Sequence, residues 1–538
     1  MYKKLLSDFS PGVNLSITSL ELGLDRSNTP WASGINVELY SQKGVCRQSG
    51  NTLLTTNPAD KEINSLFYFN PETAEFNKKI LYSTTDGCFY EYDLTTNTHT
   101  CLKNDLTSGK PCIYTRYLDG VAVANGADEP FFYHITGQNA APALESTDTV
   151  AKDGESKIIA RALCSYKGRL WLSDGDTIYY SALGTYDDWQ TAYDAGFIAN
   201  FHCDSAPVTA LLPYKDYIAI YKSAQTYLLT GSSHEDFAIV PFTDKGACSQ
   251  NAVVTANNRQ FFFSKALLCL EQTGLLAQIT LGQEASLNIK PVLNGTSASL
   301  KTVTAGGETF HIGAPLDKSR LNMLHAVVCE PKNQLRFFVP TENNPYINNI
   351  WIYDWVNSAW SLRALPQPVL CAANYEDNII IGTKDGKILV EDHGQTFDGE
   401  PIFFEWKSPF LTLGNPNSRK IIDDFYLLIS DNVDNNFIFS TYRDYDTLDS
   451  QDHENILVSN LINLIWGSDS SDGGNFLWAD DNSGENEIYT QRWAVPSETA
   501  QKTNVSGSCI SVQFCIEGNQ PEHNFALLGL EYKEITAD

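Results

Sequence analysis

Tyr166-Lys167-Gly168-Arg169-Leu170-Trp171-Leu172-Ser173 sets a polar turn before a short run of aromatic and aliphatic residues that ends on a small polar side chain. The pattern returns along the chain. Asn77-Lys78-Lys79 precedes Ile80-Leu81-Tyr82-Ser83, Leu118-Asp119-Gly120 precedes Val121-Ala122-Val123-Ala124, and Tyr214-Lys215-Asp216-Tyr217 precedes Ile218-Ala219-Ile220-Tyr221. Asn257-Asn258-Arg259-Gln260 leads into Phe261-Phe262-Phe263-Ser264, Lys332-Asn333-Gln334 into Leu335-Arg336-Phe337-Phe338-Val339, and Tyr375-Glu376-Asp377-Asn378 into Ile379-Ile380-Ile381-Gly382. Taking Phe337 in the sixth copy and the first apolar residue in the others, the runs begin at 80, 121, 170, 218, 261, 337 and 379, with spacings of 41, 49, 48, 43, 76 and 42. Spacings of about 40–50 residues are those of four-stranded propeller blades. The long interval predicts an insertion or a degenerate blade near 280–325.

Second hairpins are legible inside the repeats. Thr84-Thr85-Asp86-Gly87 leads into Cys88-Phe89-Tyr90, and Lys384-Asp385-Gly386-Lys387 joins Ile379-Ile380-Ile381 to Ile388-Leu389-Val390. Asp-Gly suits a type I′ turn, in which both central residues take positive φ. Helical periodicity is almost absent; Leu457, Leu461, Leu464 and Ile465 form the one candidate. The reading is all-β: a β-propeller of about seven blades, range six to eight, at residues 59–400, with a β-sandwich array as the competing architecture. After Pro401 the rhythm changes. Phe403-Phe404-Glu405-Trp406, Asp424 to Ile429 and Phe437 to Tyr442 read as longer strands. Ile510, Val512, Phe514 and Ile516 alternate with Ser511, Gln513, Cys515 and Glu517, as in a half-buried strand. Residues 401–538 are expected to form a separate β-sandwich-like region with acidic loops. Residues 1–58, with Pro11, Gly12, Pro30 and Gly34, are expected to supply an extended N-terminal arm and the first strands.

The 538 residues carry 37 basic and 65 acidic side chains, a formal charge of −28. Such a surplus excludes DNA binding by phosphate neutralisation, which needs a basic face. With 42% hydrophobic and 19% charged residues the chain has material for a large core. The opening Met1-Tyr2-Lys3-Lys4-Leu5-Leu6-Ser7-Asp8 offers no secretory apolar region, and no transmembrane segment of some eighteen apolar residues occurs. Folding in a cytoplasm is expected. The 12 cysteines include no CxxC pair, Cys509 and Cys515 being the closest two, so reduced structural thiols are expected.

Catalytic signatures are missing: no GxSxG elbow, HExxH, GxGxxG or Walker loop. Gly382-Thr383-Lys384-Asp385-Gly386-Lys387 is too short for a phosphate loop, and Ile388 stands where Ser or Thr is required. Asp423-Asp424 lie at a strand entry, and Asp444, Asp446, Asp449 and Asp452 fall in a polar loop. Asp469-Ser470-Ser471-Asp472-Gly473-Gly474-Asn475 with Asp480-Asp481-Asn482-Ser483-Gly484-Glu485 offers calcium-type oxygens without EF-hand spacing. Ser470, Asp472 and Gly474 also form a degenerate Asp-box, a structural turn that sialidases repeat and this chain does not. No catalytic, cofactor-binding or metal residue is nominated, no cofactor is expected, and the chain reads as a non-enzyme.

Several stretches resemble the phage stabilisation, or tail-nozzle, proteins of short-tailed bacteriophages. They are Gly12-Val13-Asn14, Trp31, Gly34, Asn36-Val37-Glu38 and Gly44-Val45-Cys46-Arg47-Gln48-Ser49-Gly50; then Leu163 to Trp171, Asp176 to Ser181 and Asp187-Asp188-Trp189; then Trp406-Lys407-Ser408-Pro409-Phe410, Gly414-Asn415-Pro416 and Lys420. The likeness spans about residues 10–430 and is one of style, without an active-site motif. Where that family often has Arg-Pro-Gly, Gln48-Ser49 separate Arg47 from Gly50.

The resemblance implies a virion tail protein made in the bacterial host cytoplasm. It implies a homohexamer ring below the portal and head-to-tail adaptor, around a channel that retains packaged dsDNA and conducts it at ejection. Tail fibre, tailspike or tail-tip proteins would dock outside, and the acidic wall would let DNA slide without sequence-specific binding. The alternatives are a receptor- or glycan-binding propeller module and a glycan-processing propeller enzyme.

Overall fold

The computed structural model describes residues 2–18, 28–41, 43–71, 76–134, 143–146, 158–199, 204–273, 278–297, 301–305, 308–413, 417–430, 433–448, 450–458, 498–503, 505 and 507–536. The chain is all-β, and its arrangement is propeller-like. Four-stranded antiparallel units follow one another in sequence, each built as a meander except the last, whose outer strand comes from the start of the chain. Unit 1 comprises Ile63–Phe69, Lys79–Thr84, Phe89–Asp93 and Thr98–Lys103. Unit 2 comprises Ile113–Tyr117, Gly120–Ala124, Phe131–His134 and Ala143–Ser146. Unit 3 comprises Ala162–Tyr166, Arg169–Asp174, Thr177–Tyr180 and Gly196–Ile198. Unit 4 comprises Val208–Tyr214, Tyr217–Lys222, Thr226–Thr230 and Ala238–Thr243. Unit 5 comprises Val253–Ala256, Arg259–Phe263, Leu267–Thr273 and Gln278–Leu281. Unit 6 comprises His325–Cys329, Gln334–Val339, Asn349–Asp354 and Ala359–Ala364. Unit 7 comprises Val369–Tyr375, Asn378–Thr383 and Lys387–Glu391, with Asn51–Thr56 as its outer strand.

Each apolar run read from sequence is the second strand of a unit. Alternation sends its side chains to opposite neighbours: Ile80 and Tyr82 pack against unit 7, and Leu81 against unit 2. Both faces are therefore buried, which is why the runs are continuous and not alternating apolar and polar. Successive cores lie between units 1 and 2, 2 and 3, 3 and 4, 4 and 5, 5 and 6, and 6 and 7. The core between units 7 and 1 returns the series to its start. First strands of adjacent units lie side by side, and polar side chains stitch them. The Gln250 amide donates to the Leu163 and Leu211 carbonyls at 3.1 and 2.9 Å, and Asn374 donates to the Val328 carbonyl at 2.7 Å.

The first hairpin turns and the Asp-Gly turns differ. Asn257 and Asn258 both take positive φ, as do Lys167 and Gly168, the type I′ signature. At Asp86-Gly87 and Asp385-Gly386 only the glycine does so. The expected type I′ geometry at those two sites is corrected accordingly.

The long interval between units 5 and 6 holds a two-stranded hairpin, Lys301–Ala305 with Glu308–Ile312, after a one-turn helix Lys290–Leu293. Ile289, Val292, Leu293, Ile312 and Leu316 fill the wedge between the two flanking units.

Beyond unit 7, Lys420–Ser430 and Ala526–Thr536 pair in a seven-stranded sheet with Tyr2–Leu6, Val37–Tyr40, Gly44–Arg47, Glu498–Lys502 and Gly507–Cys509. Phe404–Lys407, Asn435–Arg443, Asp452–Val458 and Val512–Gly518 extend unit 6 into a nine-stranded sheet. Ser33–Ile35 is the splice, parallel to Ala359–Ala364 and antiparallel to Phe404–Lys407. The two sheets share one core that includes Phe425, Phe514 and Phe525. The first 58 residues contribute strands to three sheets, and the region after 400 continues the unit 6 sheet through the splice. Two local expectations also change. Gln513 and Cys515 are buried together with Val512, Phe514 and Ile516, so that strand is covered on both faces. Leu457 lies on a strand, while Leu461, Leu464 and Ile465 lie outside the described residues.

Candidate functional site

The turns after the first strands of units 2, 3 and 4 share one face of the molecule. Tyr117 ends its strand buried and donates its hydroxyl to the Gly168 carbonyl, in the next unit's turn, at 2.8 Å. Tyr214 repeats the device one pair of units later, donating to the Asn258 carbonyl at 2.8 Å. Each tyrosine therefore fixes the turn of its neighbour, and the turns form a rigid rim.

On that rim lies residues 181–195, the long connection between the last two strands of unit 3. Arg169, buried beneath it, donates to the Ser181 and Asp194 carbonyls at 2.8 and 2.7 Å and pairs with the Asp194 carboxylate. Trp189 is buried, and Tyr186 stacks on Phe132 of unit 2 at 4.3 Å. With these inside, Leu183 and Tyr193 are left 60% and 84% exposed. Leu183 abuts Gly168, and Tyr193 is 6.4 Å edge-on from the exposed His234 ring of unit 4. Lys167 crosses the same gap, donating to the Gly231 carbonyl at 2.7 Å. Leu118, beside Tyr117, is 49% exposed. The carboxylates around it are held ionised. Arg169's hydrogen bond pulls Asp194 down, Thr191 does so for Asp188, and the Ser232 and Ser233 amides bring Asp236 to about 2.

A second constellation is buried where Asn51–Thr56 joins unit 7. Arg363 Nε lies 2.6 Å from Glu391 Oε2, and Arg336 lies 2.6 Å from Asp392. Lys332 bridges Glu38 at 2.8 Å and Asp392 at 3.1 Å. Burial opposes ionisation of Asp392, yet Arg336, Lys332 and Arg363 overcome it and hold its carboxyl well below the usual range. Arg363 also donates to Gln48 Oε1 and to the Ser49 and Gly50 carbonyls. A Cβ on Gly50 would sit 1.8 Å from the Thr396 carbonyl, so only glycine fits. Each of these cations has an anionic or carbonyl partner, so the cluster acts as a structural clasp.

Glu405, Cys515 and Glu517 bring three ligand-type atoms together. Lys301 pairs with Glu405 and stands 3.7 Å from Glu517, and Lys407 is 3.2 Å from Glu405. Burial raises the Cys515 thiol strongly. Two ammonium groups fill the position a cation would take, so the residues do not fit a metal. A cavity of ≈ 490 Å³ beside unit 4 is lined by Asp204, Lys222, Ser223, Gln225, Tyr227 and Pro241, among others. Lys222 is buried there and spends its ammonium on the Asp204 carbonyl at 2.6 Å.

The remaining sequence features are structural where they are described. Gly382–Lys387 forms a hairpin between two strands of unit 7. Asp444 accepts from the Ile510 amide at 2.6 Å and pairs with Arg419, and Asp452 opens a strand and pairs with Arg443. Asp423 and Asp424 lie within Lys420–Ser430. Asp449 and the segments Asp469 to Asn475 and Asp480 to Glu485, including the Asp-box residues, lie outside the described residues. The described cysteines are free thiols, mostly buried, with Cys101 exposed. No helix among the described residues is long and apolar enough to cross a membrane. The clasp and the exposed rim were not nominated from sequence. The tyrosines that end first strands, as in Tyr166-Lys167 and Tyr214-Lys215, were the available signal for the rim.

No family model matches the chain, and no curated protein matches it. Among solved structures it is similar to the computationally designed Ika8 protein, with 11% identity over 64% of this chain and 99% of that one at a TM-score of 0.37. It is also similar to a catalytically inactive virginiamycin B lyase from Staphylococcus aureus, with 12% identity over 63% and 97% at 0.39. The WD40 β-propeller domain of Doa1 matches with 8% identity over 64% and 96% at 0.37.

Proposed function

We propose that the chain is a non-enzymatic structural protein of a short phage tail, forming a homohexameric nozzle ring below the portal-adaptor that retains and conducts dsDNA. In this reading the units make a seven-bladed propeller, and the two further sheets make a β-sandwich that carries it. The observation that carries the proposal is where the family-like residues sit. Trp31, Gly34 and Asn36 lie along the splice between unit 6 and Phe404–Lys407, Gln48 to Gly50 lie under Arg363, and Trp406 to Ser408 lie across the splice. The N-terminal and C-terminal parts of the resemblance therefore lie on the framework that joins propeller to sandwich, as suits a scaffold protein, while Leu163 to Trp171, Asp176 to Ser181 and Asp187 to Trp189 lie in unit 3 and the connection it carries. The first strands of the units contain no Asp, Glu or Lys, and only Arg116 and His325 are ionisable cations among them. A DNA passage would thus run between copies and not through one propeller. Virion-tail localisation, fibre or tip-protein docking and sliding of DNA along an acidic wall belong to the same proposal.

Native mass measurement and electron microscopy test it, with the protein alone and mixed with a portal-adaptor assembly. A six-fold ring is expected on the adaptor. A chain that stays monomeric in the mixture overturns it. The second reading, a receptor- or glycan-binding module, is favoured by the exposed Tyr193 alone and requires no ring.

A further inference from the structure

Among the described residues nothing covers the exposed rim of units 2, 3 and 4, yet its turns are held in place. Leu118, Leu183 and Tyr193 stand 49%, 60% and 84% exposed on turns fixed by Tyr117, Arg169 and Lys167. Tyr193 takes φ +68, a conformation that costs a tyrosine energy, and the segment around it is pinned so that the ring points outward. Scattered single apolar residues need no explanation, but three on the turns and connection of one face, each held by a neighbouring unit, mark a contact surface.

Charge identifies the occupant. Asp119, Asp187, Asp216 and Glu235 are exposed around the row, against the exposed ammonium groups of Lys167 and Lys215. Lys167 is already committed to the Gly231 carbonyl. We propose that this rim docks a segment of a partner protein that alternates aliphatic or aromatic side chains with lysine or arginine. The apolar side chains cover Leu183 and Tyr193, and the cations meet the acidic border. A second copy is a poor match, since a chain of net charge −28 offers mostly carboxylates. Nucleic acid and anionic lipid are repelled for the same reason. The proposal stands apart from the ring: peptide binding reads the rim, and particle mass reads the assembly.

The test uses full-length protein at 0.15 M salt, where screening acts over about 8 Å. The probes are a fluorescein-labelled peptide alternating Leu or Trp with Lys, its counterpart with Glu in place of Lys, and a neutral oligosaccharide. The Lys peptide is expected to bind, and the Glu peptide is not. Leu183→Ser with Tyr193→Ser should weaken binding roughly tenfold or more, and Asp187→Asn with Glu235→Gln should flatten its salt dependence. Val356→Ser, exposed on unit 6 at 63%, should change nothing. Equal binding of the Lys and Glu peptides overturns the proposal, as does full affinity in the Leu183/Tyr193 variant. Oligosaccharide binding that depends on Tyr193 would assign the rim to glycan instead. Self-association abolished by the same variant would assign it to a second copy.

Discussion

Arg363 Nε and Glu391 Oε2 are 2.6 Å apart, and neither side chain has any exposed surface. The pair lies where a strand from the start of the chain, Asn51–Thr56, completes a sheet made more than three hundred residues later. Asn51 donates to the second Glu391 oxygen at 3.0 Å, so the carboxylate grips the closing strand directly.

Removing one charge of such a pair leaves the other buried and uncompensated. Glu391→Gln is expected to cost about 3–5 kcal/mol, and Arg363→Met a similar amount. Replacing both together should cost less than the sum of the two. Chemical denaturation of the four proteins checks this, and strictly additive losses would contradict the pairing.

His325 gives the chain an acid limb. Burial lowers its pKa to about 4, despite the bond its Nδ1 proton donates to the Met323 carbonyl at 2.7 Å. The unfolded chain then binds more protons than the native one as pH falls from about 6.5 toward 4, so stability is present above that window and lost within it. The gap corresponds to roughly 3 kcal/mol. His325→Gln should flatten the profile between pH 6.5 and 4 relative to wild type, leaving the loss due to carboxylates such as Asp392 at lower pH. Parallel profiles for the two proteins would refute the assignment.

Much of the fold was legible because a propeller strand buried on both faces writes an unbroken apolar run, as Ile379 to Ile381 does, and a two-residue turn such as Lys167-Gly168 marks its start. The second strands accordingly align with the repeat. What local pattern could not supply was pairing across great sequence distance. Nothing near Asn51 announces Glu391, and nothing near Gly34 announces Trp406, though their strands are partners. The rim was hidden for another reason. Leu183 and Tyr193 look in sequence like further core residues, and only Arg169 and Trp189 beneath them turn them outward.

Lys301 and Lys407 make the Glu405 cluster an ion-pair site. Burial alone would raise the Glu405 carboxyl, but the two ammonium groups overcome it and lower it. Lys301→Met removes the partner supplied by the inserted hairpin. A loss of about 1–3 kcal/mol is expected, less than for a fully buried pair because Lys301 is 29% exposed. Chelator treatment should leave the melting temperature of wild type unchanged. A chelator-induced drop that zinc restores would show that a metal, and not lysine, holds Glu405, Cys515 and Glu517 together.

Tyr117 and Tyr214 perform the same act two units apart, each donating a hydroxyl to a carbonyl in the following unit's first turn. Tyr117→Phe and Tyr214→Phe remove one hydrogen bond each with no loss of packing, so each should cost about 1 kcal/mol. The two sites share no partner, and the double variant should lose about 2 kcal/mol. Hydrogen exchange separates this local role from a general weakening. Tyr117→Phe should speed exchange around Lys167 to Arg169 and leave Asn257 to Arg259 protected, and Tyr214→Phe should do the reverse. Because the first of these turns also supports Leu183, Tyr117→Phe should weaken the Lys peptide at the rim while Tyr214→Phe has less effect. Uniform loss of protection across both turns in either variant would mean that the hydroxyls stabilise the fold as a whole and do not fix the rim.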